Sequence, residues 1–307
     1  MATNIEWLRG CATALVTPFN ANGDVDVALL RDFVEWQIQS GVRLLVPCGT
    51  TGESATMTKE EDELVIKTTV EVAAGRAKVI AGIGSNNTAT AIANAKARKD
   101  LGIDAALAVG PYYNKPTQEG FLAHFTAIAE AVPDLPIMLY NVPGRTASNV
   151  TAATTLRLAR EVENIVAIKE ASGNLSQVME ILRDRPEDFR VFSGDDAITF
   201  AMIALGADGL VSVASNEAPS LMSQMVVFAL ANDWTKAREL HYKLLKLMEI
   251  NFIETSPGPV KAALAMMGKM EERLRLPLVP ITEDSKQKVR DVIVELGLLK
   301  EAKYGTA

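Results

Sequence analysis

Ile165-Val166-Ala167-Ile168-Lys169-Glu170-Ala171-Ser172-Gly173-Asn174 is the stretch on which the reading of this chain turns. Four apolar residues end in a lysine, and a small polar turn containing a glycine follows. A short β-branched apolar run bounded by turn residues is the pattern of a strand buried on both faces, as in a parallel sheet. Lys169 then stands at the carboxyl end of that strand. Burial disfavours an ammonium group and makes a lysine nucleophilic enough to form an imine with a carbonyl compound. A solitary lysine so placed more ordinarily snorkels to water or pairs with a neighbour such as Glu170. Its meaning depends on the company it keeps.

On both sides of this segment, short apolar strands alternate with helical patterns. The expected pairs are 12–16 with 27–39, 44–47 with 60–74, 78–81 with 89–101, and 105–109 with 118–131. The remaining pairs are 137–140 with 152–161, 165–168 with 175–184, 190–192 with 197–205, and 210–213 with 218–230. Repeated strand–helix units imply parallel strands and right-handed crossovers. Eight of them in this length suit an α/β fold of the (β/α)8 TIM-barrel type, with an open doubly wound sheet as the alternative. From residue 232 the pattern is helical only, at 234–249, 258–267 and 286–296. The expected organisation is a barrel over 1–231 carrying the active site and a helical appendage over 232–307.

The 307 residues are 48% hydrophobic and 22% charged, which is enough apolar material for one large core. A net charge of −7 argues against nucleic acid or an anionic membrane as partner. The chain has no apolar run of transmembrane length and no signal-peptide pattern at its start, which points to the cytoplasm. Cys11 and Cys48 read as buried thiols rather than a disulfide. His124 and His241 fall in helical patterns without a second ligand nearby, so no zinc site is expected. Phosphate-loop and dinucleotide-binding glycine motifs are both missing from the sequence.

In a barrel, chemistry belongs to the loops after the strands. After the second strand stands Gly49-Thr50-Thr51-Gly52-Glu53-Ser54, whose amides and hydroxyls suit a carboxylate or phosphate, or simply a turn capped by Ser54 or Thr58. The fourth is followed by Pro111-Tyr112-Tyr113-Asn114, and the fifth ends in Tyr140 with Arg145 just beyond. A strand-end phenol can pass protons, and an arginine in a rigid loop can clamp a carboxylate. Asp195 and Asp196 after the seventh strand either cap the next helix or offer a divalent metal a pair of carboxylates. Taken together, these residues suggest a keto acid held as an imine on Lys169, with Arg145 receiving a second acidic substrate.

Residues 49–54, 111–113, 140–146, 168–174 and 193–196 together resemble the dihydrodipicolinate synthase family, within the pyruvate-lyase group that includes N-acetylneuraminate lyase. The likeness extends to Pro257-Gly258-Pro259-Val260-Lys261, and Arg145 separates the synthases from the sugar-acid lyases. It implies a barrel that condenses pyruvate with aspartate-4-semialdehyde to 4-hydroxy-tetrahydrodipicolinate, with no organic cofactor and no catalytic metal. The resemblance makes Lys169 the imine-forming residue and Thr50 and Thr51 the holders of the pyruvate carboxylate. Tyr140, Thr51 and Tyr113 become a proton relay, with Tyr113 reaching across a dimer interface of a homotetramer. Arg145 binds the semialdehyde carboxylate, while Gly194 and Val211 line the pyruvate pocket.

Two positions depart from relatives that are inhibited by lysine. Lys59 and Thr90 stand where a histidine and an acidic side chain serve, with Asp62 nearby, so weak or absent lysine feedback is expected. Ser256 and Gly258 vary the tail motif without an evident mechanistic consequence. The competing readings are another pyruvate-dependent aldolase acting on a sugar acid or keto acid, a keto-acid sensor without turnover, and a metal-dependent lyase built on Asp195 and Asp196.

Overall fold

A computed structural model describes residues 5–299; the outer limits of the two expected units, residues 1 and 307, lie outside them. Eight parallel strands form a closed barrel in which each pairs with the next and the last pairs with the first. They are β1 (Gly10–Ala14), β2 (Leu44–Val46), β3 (Lys78–Gly82), β4 (Ala105–Val109), β5 (Ile137–Asn141), β6 (Ile165–Glu170), β7 (Arg190–Ser193) and β8 (Gly209–Ser212). An open sheet is thereby ruled out. Around it run α1 (Val27–Gln39), α2 (Lys59–Ala73), α3 (Thr88–Asp100), α4 (Gln118–Ala131), α5 (Pro143–Thr146) and α6 (Ala152–Glu161). The chain continues through α7 (Leu175–Asp184), α8 (Thr199–Ala204), α9 (Pro219–Leu230), α10 (Trp234–Ile250), α11 (Gly258–Met266) and α12 (Glu283–Glu295).

Alternation along the strands divides the apolar residues into two layers. Ala12, Leu44, Ile80, Leu107, Met138 and Phe192 pack inside the barrel, and Ile5 and Leu8, which precede β1, join them. Leu45, Val79, Ala106, Leu139, Ile168 and Val191 face the helices instead. Helix starts follow local chemistry. Thr58 caps α2 through a capping box with Glu61, and Asn87, Thr117, Thr151 and Asn174 accept a backbone N–H at their own helices. Each such cap stabilises its helix by about 1 kcal/mol.

The structure shifts several expected bounds. The first strand lies two residues earlier than 12–16, because the Val16 N–H is taken by the Asn216 side chain and not by a neighbouring strand. The helix expected at 197–205 shortens to α8, since Asp195 and Asp196 turn the chain before it. The helix expected at 286–296 starts three residues sooner, capped by Thr282. Residues 143–146, read as part of the rigid loop that carries Arg145, form one helical turn with proline at its start.

The C-terminal helices are packed into the molecule. Val260 and Leu264 of α11 join the layer between strands and helices, while Ala262 and Ala263 join a second cluster with α9, α10 and α12. Apolar and small residues dominate this buried helix, and its one charged side chain, Lys261, is buried with them. No helix among the described residues is long and apolar enough to cross a membrane.

Candidate active site

The carboxyl ends of the strands surround a cavity of about 170 Å³. Lys169 enters it from β6, in register with Tyr140 of β5 and Phe192 of β7. The lysine is 7% exposed and its Nζ lies 4.2 Å from the centre of the Tyr140 ring. No carboxylate pairs with it among the described residues. Glu170 cannot do so, because strand alternation sends its side chain to the other face. There it accepts hydrogen bonds from Asn141 Nδ2 (3.0 Å), Gln177 Nε2 (2.9 Å) and the Ser172 N–H (2.7 Å). Gly194 leaves room for the lysine stem: a Cβ there would stand 2.9 Å from Lys169 Cε and 2.6 Å from Ala171 Cβ.

Thr50 and Thr51 line the opposite wall with Gly49. Thr50 is exposed, whereas Thr51 is buried at the cavity. Their turn is held from behind, where Thr17 Oγ1 donates to the Gly52 carbonyl at 2.7 Å. Gly52 is needed there, since a Cβ would press to 3.0 Å of the Leu15 carbonyl oxygen. Arg145, on α5, reaches the same cavity without an ion-pair partner among the described residues. An unpaired guanidinium at the mouth of a small cavity is suited to a carboxylate.

The structure separates two expected residues from this group. Val211 packs in the barrel interior, and Val213, two residues on, is the one that lines the cavity. Tyr113 lies outside the cavity, 88% exposed and in the left-handed region with φ +73°. A tyrosine in that conformation is strained, and such strain gathers at functional positions. Asp196 does not cap α8. It is buried and accepts from Ser212 Oγ (2.5 Å), the Val213 N–H (3.0 Å) and the Ala214 N–H (3.1 Å), tying the seventh loop to the eighth. Asp195 accepts from the Ala197 N–H and lines the cavity.

Several contributors were not foreseen. Phe252 and Ser256, from the segment after α10, close one side of the cavity, so the varied tail position Ser256 has a place in the site. Asn141, Asn149 and Gln177 join Glu170 in a network that fixes the Arg145 loop to the end of β6. The signal for them was proximity: Asn141 follows Tyr140, and Glu170 follows Lys169. Ser148 Oγ donates to the Pro111 carbonyl and links that loop to the tyrosine segment.

Other nucleophiles and bases are held out of play. Burial pushes the Cys11 and Cys48 thiols well above their ordinary range, and both are free. His124 and His241 sit on α4 and α10, and burial lowers both, His124 to about 4. Among the described residues no group of three or more histidines, cysteines and carboxylates is placed to hold a metal ion.

Known proteins resemble this chain over nearly its whole length. A curated 4-hydroxy-tetrahydrodipicolinate synthase from Koribacter versatilis is 56% identical, over 96% of this chain and 98% of that protein. The crystal structure of dihydrodipicolinate synthase from Aquifex aeolicus superposes with a TM-score of 0.93 at 45% identity, covering 95% of this chain and 99% of that one. The chloride-inhibited dihydrodipicolinate synthase from Acinetobacter baumannii, complexed with pyruvate, gives 0.93 at 44% identity, with 95% and 99% covered. The sequence profile of one family matches residues 7–296, almost all of the barrel and the helices behind it: this chain belongs to the dihydrodipicolinate synthetase family.

Proposed function

We propose that this protein condenses pyruvate with L-aspartate-4-semialdehyde through an imine on Lys169, giving 4-hydroxy-tetrahydrodipicolinate on the diaminopimelate route to lysine. The observation that carries this reading is a buried lysine set against a phenol in a cavity shared with two threonines and an arginine, where neither cation has a carboxylate partner among the described residues. The names of the relatives support it.

Lys169 Nζ attacks the keto carbon of pyruvate and water leaves, giving the imine. The iminium carbon draws electrons from the neighbouring methyl, which loses a proton and becomes the nucleophile toward the aldehyde carbon. Thr50 and Thr51 hold the pyruvate carboxylate with their hydroxyls and turn amides. Arg145 binds the carboxylate of the semialdehyde and sets its aldehyde over the enamine. The product's ring nitrogen is the semialdehyde amine, so attack of that amine on the imine carbon closes the ring and returns Lys169. Each step moves a proton, and Tyr140 with Thr51 carries it.

Tyr113 completes the relay when a second copy of the chain covers it. Its exposure and its strained backbone support that role, within a homotetramer built as a dimer of dimers. Gly194 and Val211 shape the pyruvate pocket, Gly194 by leaving space for the lysine and Val211 from the layer below. The reaction calls for no organic cofactor and no metal, since the imine itself is the electron sink. The protein works in the cytoplasm, beside other enzymes of small-metabolite synthesis.

Borohydride trapping with pyruvate, followed by peptide mapping, tests the chemistry. The expected result is a reduced pyruvyl adduct on Lys169, together with turnover on aspartate-4-semialdehyde. An adduct without that turnover would make the protein an aldolase for a different acceptor. A folded protein without an adduct would sink the imine.

A further inference from the structure

We propose that Glu53 and Lys261 are positioning residues: their buried ion pair pins the Thr50-Thr51 turn, so the C-terminal helical region sets the affinity of the site for a substrate carboxylate. The inference rests on the function proposed above and adds to it a control that lies outside the cavity.

Glu53 follows Thr51 by two residues and takes a left-handed backbone, φ +56°, as the turn closes. That conformation points its carboxylate away from the cavity and into the protein, where Lys261 of α11 meets it at 2.5 Å. Both side chains are wholly excluded from solvent. The pair is also complete. The second Glu53 oxygen accepts the Arg275 N–H at 3.1 Å, and Lys261 Nζ donates to the Arg273 carbonyl at 2.7 Å. The Phe19 ring lies 4.3 Å from Lys261 Nζ and 4.4 Å from the Arg275 guanidinium, filling the space beside them.

A buried pair of this kind is no better for stability than a well-packed apolar pair of similar volume. What it adds is a fixed geometry, because each charge accepts few arrangements once its partners are satisfied. Here the geometry is transmitted directly. Thr17 holds the Gly52 carbonyl, the ion pair holds the next residue, and Thr51 directly precedes both fastened positions. A displacement of about 1 Å in a substrate-holding group costs about 100-fold in rate or affinity when the contact must be exact.

The test is the double variant Glu53→Met/Lys261→Met, with Glu53→Gln beside it, read by pyruvate-dependent borohydride trapping on intact protein. The double variant removes both charges and is expected to keep the parent melting temperature within a few degrees. Half-saturating pyruvate for trapping should rise at least about tenfold. The trapped fraction at saturation and the KM for the semialdehyde should stay near the parent values, since Lys169 and Arg145 are untouched. A folded double variant with the parent half-saturation overturns the proposal. If the double variant does not fold, Glu53→Gln decides: it retains shape but offers a single acceptor oxygen to two donors, Lys261 Nζ and the Arg275 N–H, and an unchanged half-saturation there overturns the proposal equally. Failure of the parent protein to trap pyruvate is a different result, which removes the proposed function and this inference with it.

Discussion

Lys169 and Lys261 are the same side chain buried in two regions of one molecule, and they have opposite surroundings. Lys261 on α11 is fully enclosed and held by the Glu53 carboxylate. Burial pushes it below the ordinary lysine range while Glu53 works against that shift. Lys169 on β6 is 7% exposed, faces an aromatic ring and has no carboxylate partner among the described residues. The nearest acidic neighbour in sequence, Glu170, is turned to the far side of the strand and engaged by three donors. Paired, a buried lysine is a fastening. Unpaired and open to a cavity, it is, in the proposed function, a reagent. The difference lies in where the neighbouring carboxylates are directed, and not in depth of burial.

Exchanging the two lysines' fates breaks the comparison most directly. Lys169→Ala should abolish trapping by pyruvate and lower turnover at least about 1,000-fold, with the fold intact. Steady-state assay and circular dichroism together check this; appreciable turnover in the variant would end the comparison. Lys261→Met alone leaves the Glu53 charge buried and should cost about 3–5 kcal/mol in urea unfolding. A loss below about 1 kcal/mol would mean that Glu53 finds another partner.

His124 is a third buried cation-former, like Lys169 without a counter-charge among the described residues, and extends the comparison to pH. Burial lowers it from 6.5 to about 4, with Nδ1 at 2.9 Å from Thr88 Oγ1. The unfolded chain therefore binds the extra proton first as pH falls. The associated stability is whole above 6.5 and lost progressively down to about 4, by up to roughly 3 kcal/mol. Unfolding measured across that range in His124→Gln should show a flatter dependence; an identical slope would assign the acid loss elsewhere.

Arg145→Ala sharpens the comparison at the cavity itself. The semialdehyde KM should rise about tenfold or more while pyruvate trapping stays at the parent level. Equal loss of both would show that the arginine serves the imine and not the second substrate. The smallest expected effect concerns added lysine. Asp62 is already committed to Arg98 at 2.6 Å, and Lys59 lies beside the same helix start, so a free lysine ammonium meets a cation instead of an open carboxylate. Inhibition should be slight up to several millimolar lysine, and half-maximal inhibition below that would overturn the expectation.

Much of this was legible in the residues. The alternation of short apolar runs with helical patterns announced the barrel, because the apolar runs were too short to be helices and the segments between them were long enough. Lys169, Tyr140, Thr50, Thr51 and Arg145 were visible as polar residues at strand ends, and the closed sheet brings all five to one cavity. What stayed hidden depends on direction and distance in space. Glu170 read as a possible partner of Lys169 because sequence distance ignores the two faces of a strand. Asp196 read as a helix cap because the loop that it ties, Ser212 to Ala214, is remote in sequence. The Glu53–Lys261 pair joins residues 208 positions apart, a separation over which no local pattern carries information.

That separation has a consequence for how the protein comes into being. Synthesis proceeds from the amino end at about 5–20 residues per second. Glu53 therefore leaves the ribosome roughly 10–40 seconds before the lysine that neutralises it, 208 residues later. During that interval the nascent chain carries an acidic residue destined for the interior with no cation to receive it. The turn bearing Thr50 and Thr51 gains its final shape among the last events of maturation, after the helix that follows the whole barrel has been made.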